Sequence, residues 1–61
     1  MKFEIKTEVK IPSVGVTTHK HTQEFSADSN VFGRVIEYRE YIRRLFPNCE
    51  YKLISAKQIS K

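Results

Sequence analysis

Ten consecutive residues, Lys2 to Ile11, alternate without a break. Phe3, Ile5, Thr7, Val9 and Ile11 share one parity, and Lys2, Glu4, Lys6, Glu8 and Lys10 share the other. Successive side chains on a strand point to opposite faces. This period of two therefore specifies a strand with one buried face and one wet face. β-branched residues dominate the apolar parity, as a pleated surface prefers. The chain is committed early to a sheet, and a sheet with one dry face needs a second layer to cover it.

Pro12, Ser13 and Gly15 end the alternation and predict a hairpin connection over 12–15. A second strand is expected over 16–27. Thr17, His19, His21, Gln23, Phe25 and Ala27 lie on its inward side, and Val16, Thr18, Lys20, Thr22 and Glu24 on the other. Polar residues in its middle mark an edge strand. The cluster Ser26-Ala27-Asp28-Ser29-Asn30 consists largely of helix-cap residue types, with Asp28 or Ser29 the expected N-cap. A helix then runs to Phe46. Val31, Val35, Tyr38, Ile42 and Leu45 recur at helical spacing and predict a single buried stripe. Pro47 stops the helix. Gly33 is a poor helix residue whose place points to close packing of the first turn. Cys49 to Ile59 alternates again as a third strand, with Cys49, Tyr51, Leu53 and Ile59 inward and Ile54 and Ala56 on the outer face.

With 61 residues there is room for one small domain, 1–61. The fold class is α+β: a ββαβ unit with a three-stranded antiparallel sheet in the order 2-1-3 and one helix packed on one face. The hairpin sets the first pairing. A right-handed crossover through the helix brings strand three to the free side of strand one. The best-alternating strand is then central, and the Lys/Glu ladder faces outward. In element order the chain resembles half of a ferredoxin-type unit. In architecture it resembles the small ββαβ units of archaeal ribosomal proteins. The likeness spans the whole chain and carries no shared motif.

A domain this short buries only about 60% of the surface its unfolded chain exposes. With a single cysteine it has no disulfide staple, so homodimerisation is the expected supplement. Cys49 alone points to a reducing compartment. Met1-Lys2-Phe3-Glu4 leads straight into the alternation, without the apolar stretch of a signal peptide. A cytoplasmic, self-contained protein is expected, and no apolar run is long enough to span a membrane.

Few residues suggest chemistry. His19 and His21 lie on one side of a strand, about 7 Å apart along it, but no third and fourth ligand stand at a recognisable spacing. Cys49 has core parity and is expected to be buried. Glu4 and Glu8 alternate with lysines, which keep carboxylates ionised. No phosphate-binding loop, G-x-S-x-G or H-E-x-x-H motif occurs. The expectation is a protein without catalytic activity, cofactor or bound metal.

Charge and exposed apolar residues leave two readings. Lys and Arg number 11 against 7 Asp and Glu, a net charge of +4. The favoured reading is a protein-interaction module, an accessory regulator or inhibitor. In size and style it resembles the short accessory proteins of phages and mobile elements. Ile36 and Tyr41 fall outside the buried stripe, and with Arg39 and Arg43 they form the expected partner-binding residues, since Tyr and Arg are enriched at interface hot spots. A partner strand on a free sheet edge is the other expected mode. The alternative is a basic nucleic-acid-binding protein contacting phosphates through Arg34, Arg43, Arg44, Lys6, Lys10, Lys20 and Lys52. Mixed signs on the sheet and the lack of an outward aromatic on strand one place it second.

Overall fold

A computed structural model describes residues 1–60. The elements are β1 (Lys2–Ile11), β2 (Gly15–Glu24), α1 (Val31–Leu45) and β3 (Glu50–Ser60). They form a small α+β domain with the sheet order β2-β1-β3, both pairings antiparallel. The helix lies on one face and the other face is open.

The β1–β2 register is continuous from Lys2↔Glu24 to Ile11↔Gly15. The turn is Pro12-Ser13-Val14, closed by the Val14 N–H donating to the Ile11 carbonyl at 3.1 Å. Pro12 sets the first central position, and Ser13 takes φ 71° at the second, the type II pattern. Gly15 follows at φ 109°, where a side chain would be strained.

The inward parity of β1 forms the centre of the molecule. Ile5, Thr7 and Val9 are buried, and Phe25, Tyr38 and Ile42 close over them from β2's end and from the helix. Thr7 is wholly enclosed. Its hydroxyl and that of Tyr38 are hydrogen bonded at 2.8 Å, so neither is left unsatisfied in the core. Burial pushes the Tyr38 hydroxyl above its ordinary pKa, with the Thr7 hydrogen bond opposing.

Several local expectations require correction. The N-cap is Asn30, not Asp28 or Ser29; its Oδ1 accepts from the Gly33 N–H at 2.7 Å. Ser29 is occupied elsewhere, its hydroxyl donating to the Ser26 carbonyl at 2.6 Å and accepting from Arg34. Gly33 gains its reason here, since a Cβ would stand 3.3 Å from the capping oxygen, a tight contact that the Asn30 side chain would have to relieve. The helix ends at Leu45, and Phe46 is its C-cap, donating to the Ile42 carbonyl at 2.8 Å. Asn48 then adopts φ 62°, a conformation Asn tolerates. Cys49 is half-buried rather than buried, because it precedes the strand and its Sγ turns to the Pro47 carbonyl at 3.6 Å.

The largest correction concerns β3. Its pairing with β1 slips between Lys6 and Thr7 and again between Lys2 and Phe3. Ile54 and Ile59 are the residues left without a partner. A bulge inserts one residue and reverses the parity beyond it. Tyr51 and Leu53 stand beside Val9 and Thr7, as expected, but Ala56 stands beside Ile5 on the helix-facing side. Ala56 is therefore not on the outer face, and Ile59 is not part of the inward series.

Candidate functional site

Where the helix sits is decided by aromatic packing on β2. The His21 ring is stacked against Tyr41 with centroids 4.0 Å apart and lies nearly parallel to Tyr38 at 6.4 Å. His19 stacks on His21 at 5.4 Å and meets the Phe46 ring edge-on at 5.2 Å. His19 Nε2 and the Tyr41 hydroxyl are 3.3 Å apart, and Gln23 Oε1 accepts from His21 Nε2 at 3.0 Å. His21 Nδ1 is buried without a partner. These contacts draw α1 over β2 and β1.

β3 is left poorly covered as a result. Only Tyr38 and Ile42 of the predicted stripe are buried, while Val31, Val35 and Leu45 are exposed. One helix cannot roof three strands, and this one is placed toward the β2 side. Leu53, inward by register, is 47% exposed. Between helix and strand lies an apolar groove of about 140 Å³, walled by Val31, Val35 and Tyr38 above and by Phe3, Ile5, Leu53 and Ala56 below. Phe25 and Arg34 close its end. Phe32 and Ile36, one position along the helix from Val31 and Val35, extend the apolar surface outward at 79% and 57% exposure. Eight of the ten exposed large apolar side chains among the described residues belong to α1 and β3. Contiguous exposed apolar surface of this kind marks an interaction site.

The expected partner-binding residues divide. Ile36, Arg39 and Arg43 line one shallow depression on the helix, together with Glu40. Arg39 is braced toward β3, its Nε donating to the Tyr51 hydroxyl at 3.2 Å. Tyr41 is not with them, because its ring lies half-buried on His21 at the opposite flank. Leu53 and Ala56 belong to the surface and were not singled out from sequence. The signal was the near-apolar run Leu53-Ile54-Ser55-Ala56, unusual on a strand with one wet face.

The nucleic-acid residues are also divided. Lys6, Lys10, Lys20 and Lys52 have the parity of the open sheet face, while Arg34, Arg43 and Arg44 are on the helix layer. Arg34 is engaged with Ser29 through its hydroxyl and carbonyl, and its guanidinium carbon lies 5.9 Å from the centre of the Phe3 ring. Lys52 stands opposite Glu8 and Lys57 opposite Glu4, whereas Lys6 stands opposite Lys20. No single face gathers the seven residues.

Among the described residues, no group of three or more His, Cys, Asp or Glu is placed to hold a metal ion. No helix among them is long and apolar enough to cross a membrane.

The placement of His19 carries an expected dependence of stability on pH. Burial, and secondarily the neighbouring His21, lower the His19 pKa below its ordinary value of 6.5. The unfolded chain then takes up the proton first as pH falls. His19 thus contributes stability that is full above about pH 6.5 and is lost between there and its lower folded value. The melting temperature is expected to fall from about pH 7.5 to pH 5, above the ordinary carboxylate range. Melts of wild type and His19→Gln across that range check this. An equal slope in the variant would remove His19 from the effect.

Comparison with known proteins finds no matching family model, no matching curated protein and no matching solved structure.

Proposed function

We propose that this protein is a non-catalytic interaction module, an accessory regulator or inhibitor acting in the cytoplasm, that binds a protein through the α1–β3 flank. The observation carrying this reading is the apolar groove between α1 and β3, continued outward by Phe32 and Ile36. Arg39 and Arg43 border Ile36, giving the apolar centre and polar rim of a protein contact. The open sheet face, in contrast, offers a ladder of mixed charge, which suits water.

The test is site-specific photocrosslinking in cells expressing the full chain, with the reactive residue at Ile36 or, on the open face, at Thr18. A discrete protein adduct at Ile36 that survives nuclease, with none at Thr18, is expected. Nuclease-sensitive adducts at Thr18 alone would replace this reading with nucleic-acid binding through the sheet lysines. No adduct at either position would remove the flank as a binding surface.

A further inference from the structure

We infer that the first occupant of the α1–β3 flank is a second copy of this chain, joined about a two-fold axis with the two β3 strands antiparallel along their free edges. The inference rests on the reading of that flank as a protein-binding surface and names its partner.

A folded monomer of 7.2 kDa exposes about 4,100 Å². This chain exposes 4690 Å². The excess, about 600 Å², matches one partner's share of a small specific interface. The shape agrees: the radius of gyration is 12.0 Å, against about 10.5 Å for a compact chain of this length.

Five apolar side chains are buried among the described residues: Ile5, Val9, Phe25, Tyr38 and Ile42. A chain this small with so short a list has a thin margin of stability, which added burial widens. An occupant that widens this margin at all times has to be present whenever the chain is. A second copy meets that condition at every expression level that permits association, and an unrelated partner does not.

The two sheet edges differ in the direction this requires. Both edges carry lysine on the open face, Lys20 on β2 and Lys52 and Lys57 on β3, so they differ on the helix-facing side, which on β2 is covered by the packing of Tyr38 and Tyr41 on His21. β3 carries Leu53, Ile54 and Ala56 at its middle. Lys52 and Lys57 of β3 stand on the open face beside Glu8 and Glu4, leaving the helix-facing side of the edge without charge. Antiparallel pairing of β3 with itself puts the two-fold axis between Ile54 and Ser55, the register in which helix-facing Leu53 meets the partner's Ala56 and Lys52 meets the partner's Lys57 on the open face, beside Glu8 and Glu4. It extends the sheet to six strands and brings the Phe32–Ile36 flanks of the two helices toward one another. Such an isologous contact closes on itself, as most soluble homo-oligomers do.

Two measurements on the full chain test this. Sedimentation equilibrium, with thermal melts at the same concentrations, is expected to give twice the 7.2 kDa chain mass and a Tm that rises with concentration. A 7.2 kDa species with a concentration-independent Tm overturns the inference. Oxidative crosslinking in a Cys49→Ser background then locates the contact, with single cysteines placed at Lys52, Ser55, Lys57 and, on β2, Thr18 and Thr22. All are exposed, so the fold is retained. Dimers crosslinked at one or two β3 positions support the arrangement, and crosslinks confined to β2 overturn it. A monomer that still gives an Ile36 adduct with another protein overturns the dimer and leaves the interaction surface standing. A β3-linked dimer with no such adduct supports the dimer and limits the flank to self-association.

Discussion

Ile42→Ala is expected to leave the protein largely unfolded at room temperature. Ile42 has no accessible surface and sits where α1 meets Ile5 and Phe25. Truncating a buried isoleucine to alanine costs about 2–5 kcal/mol, the transfer energy of the lost atoms plus the cavity they leave. A single core of this size supplies about 3–5 kcal/mol in total. The two quantities are comparable, so the folded population collapses. Far-UV circular dichroism and a thermal melt check this, with Leu45→Ala as the companion. Leu45 is on the same helix but exposed, and its loss is expected to change stability by about 0.5 kcal/mol. A cooperative Ile42→Ala melt close to wild type would mean that the helix is held by contacts other than this one.

The second large effect belongs to the enclosed hydroxyl pair. Thr7→Val keeps the shape of the residue and leaves the Tyr38 hydroxyl without its partner. Tyr38→Phe does the converse and strands the Thr7 hydroxyl, which water does not reach. Each single change is expected to cost about 1–3 kcal/mol, since an unpaired buried polar group retains its full desolvation penalty. Tyr38→Phe should be the worse, because Thr7 is the more deeply enclosed. The double variant is expected to lie closer to wild type than the worse single, because no orphaned group remains. Urea denaturation of the four proteins gives the coupling directly. Strictly additive losses would show that the pair contributes nothing beyond its packing.

Much of the fold was legible because β1 states its two faces so plainly. Ile5, Thr7 and Val9 are buried as their parity required, and that strand is central, as the element order implied. The helix was legible in extent, although its cap lay among five neighbouring residues four of which are cap types, and only Asn30 adjoins the first turn. The bulge at Ile54 was not legible. It carries no Gly or Pro, and a continuous alternation was the simplest reading of the segment. The exposure of Val35 and Leu53 was hidden for a different reason. Periodicity tells which side of a helix is apolar, but not which strands it will cover. That choice was made by the stacking of His21 on Tyr41, a contact between residues twenty positions apart. The same stack took Tyr41 out of the candidate site while leaving Ile36, Arg39 and Arg43 together.

The two bulges in β3 give the strand two residues that its partner strand does not count. Both are isoleucine, and both are exposed. Neither holds the register of the sheet nor fills the core of the single chain, so folding alone places little demand on them. In a saturation mutagenesis survey, tolerance at Ile54 and Ile59 would therefore track what the chain must associate with. Intolerance at Ile5, Val9 and Ile42 would track what it must fold into. A strand that departs from strict alternation thereby separates, within one short segment, the positions answerable to structure from those answerable to company.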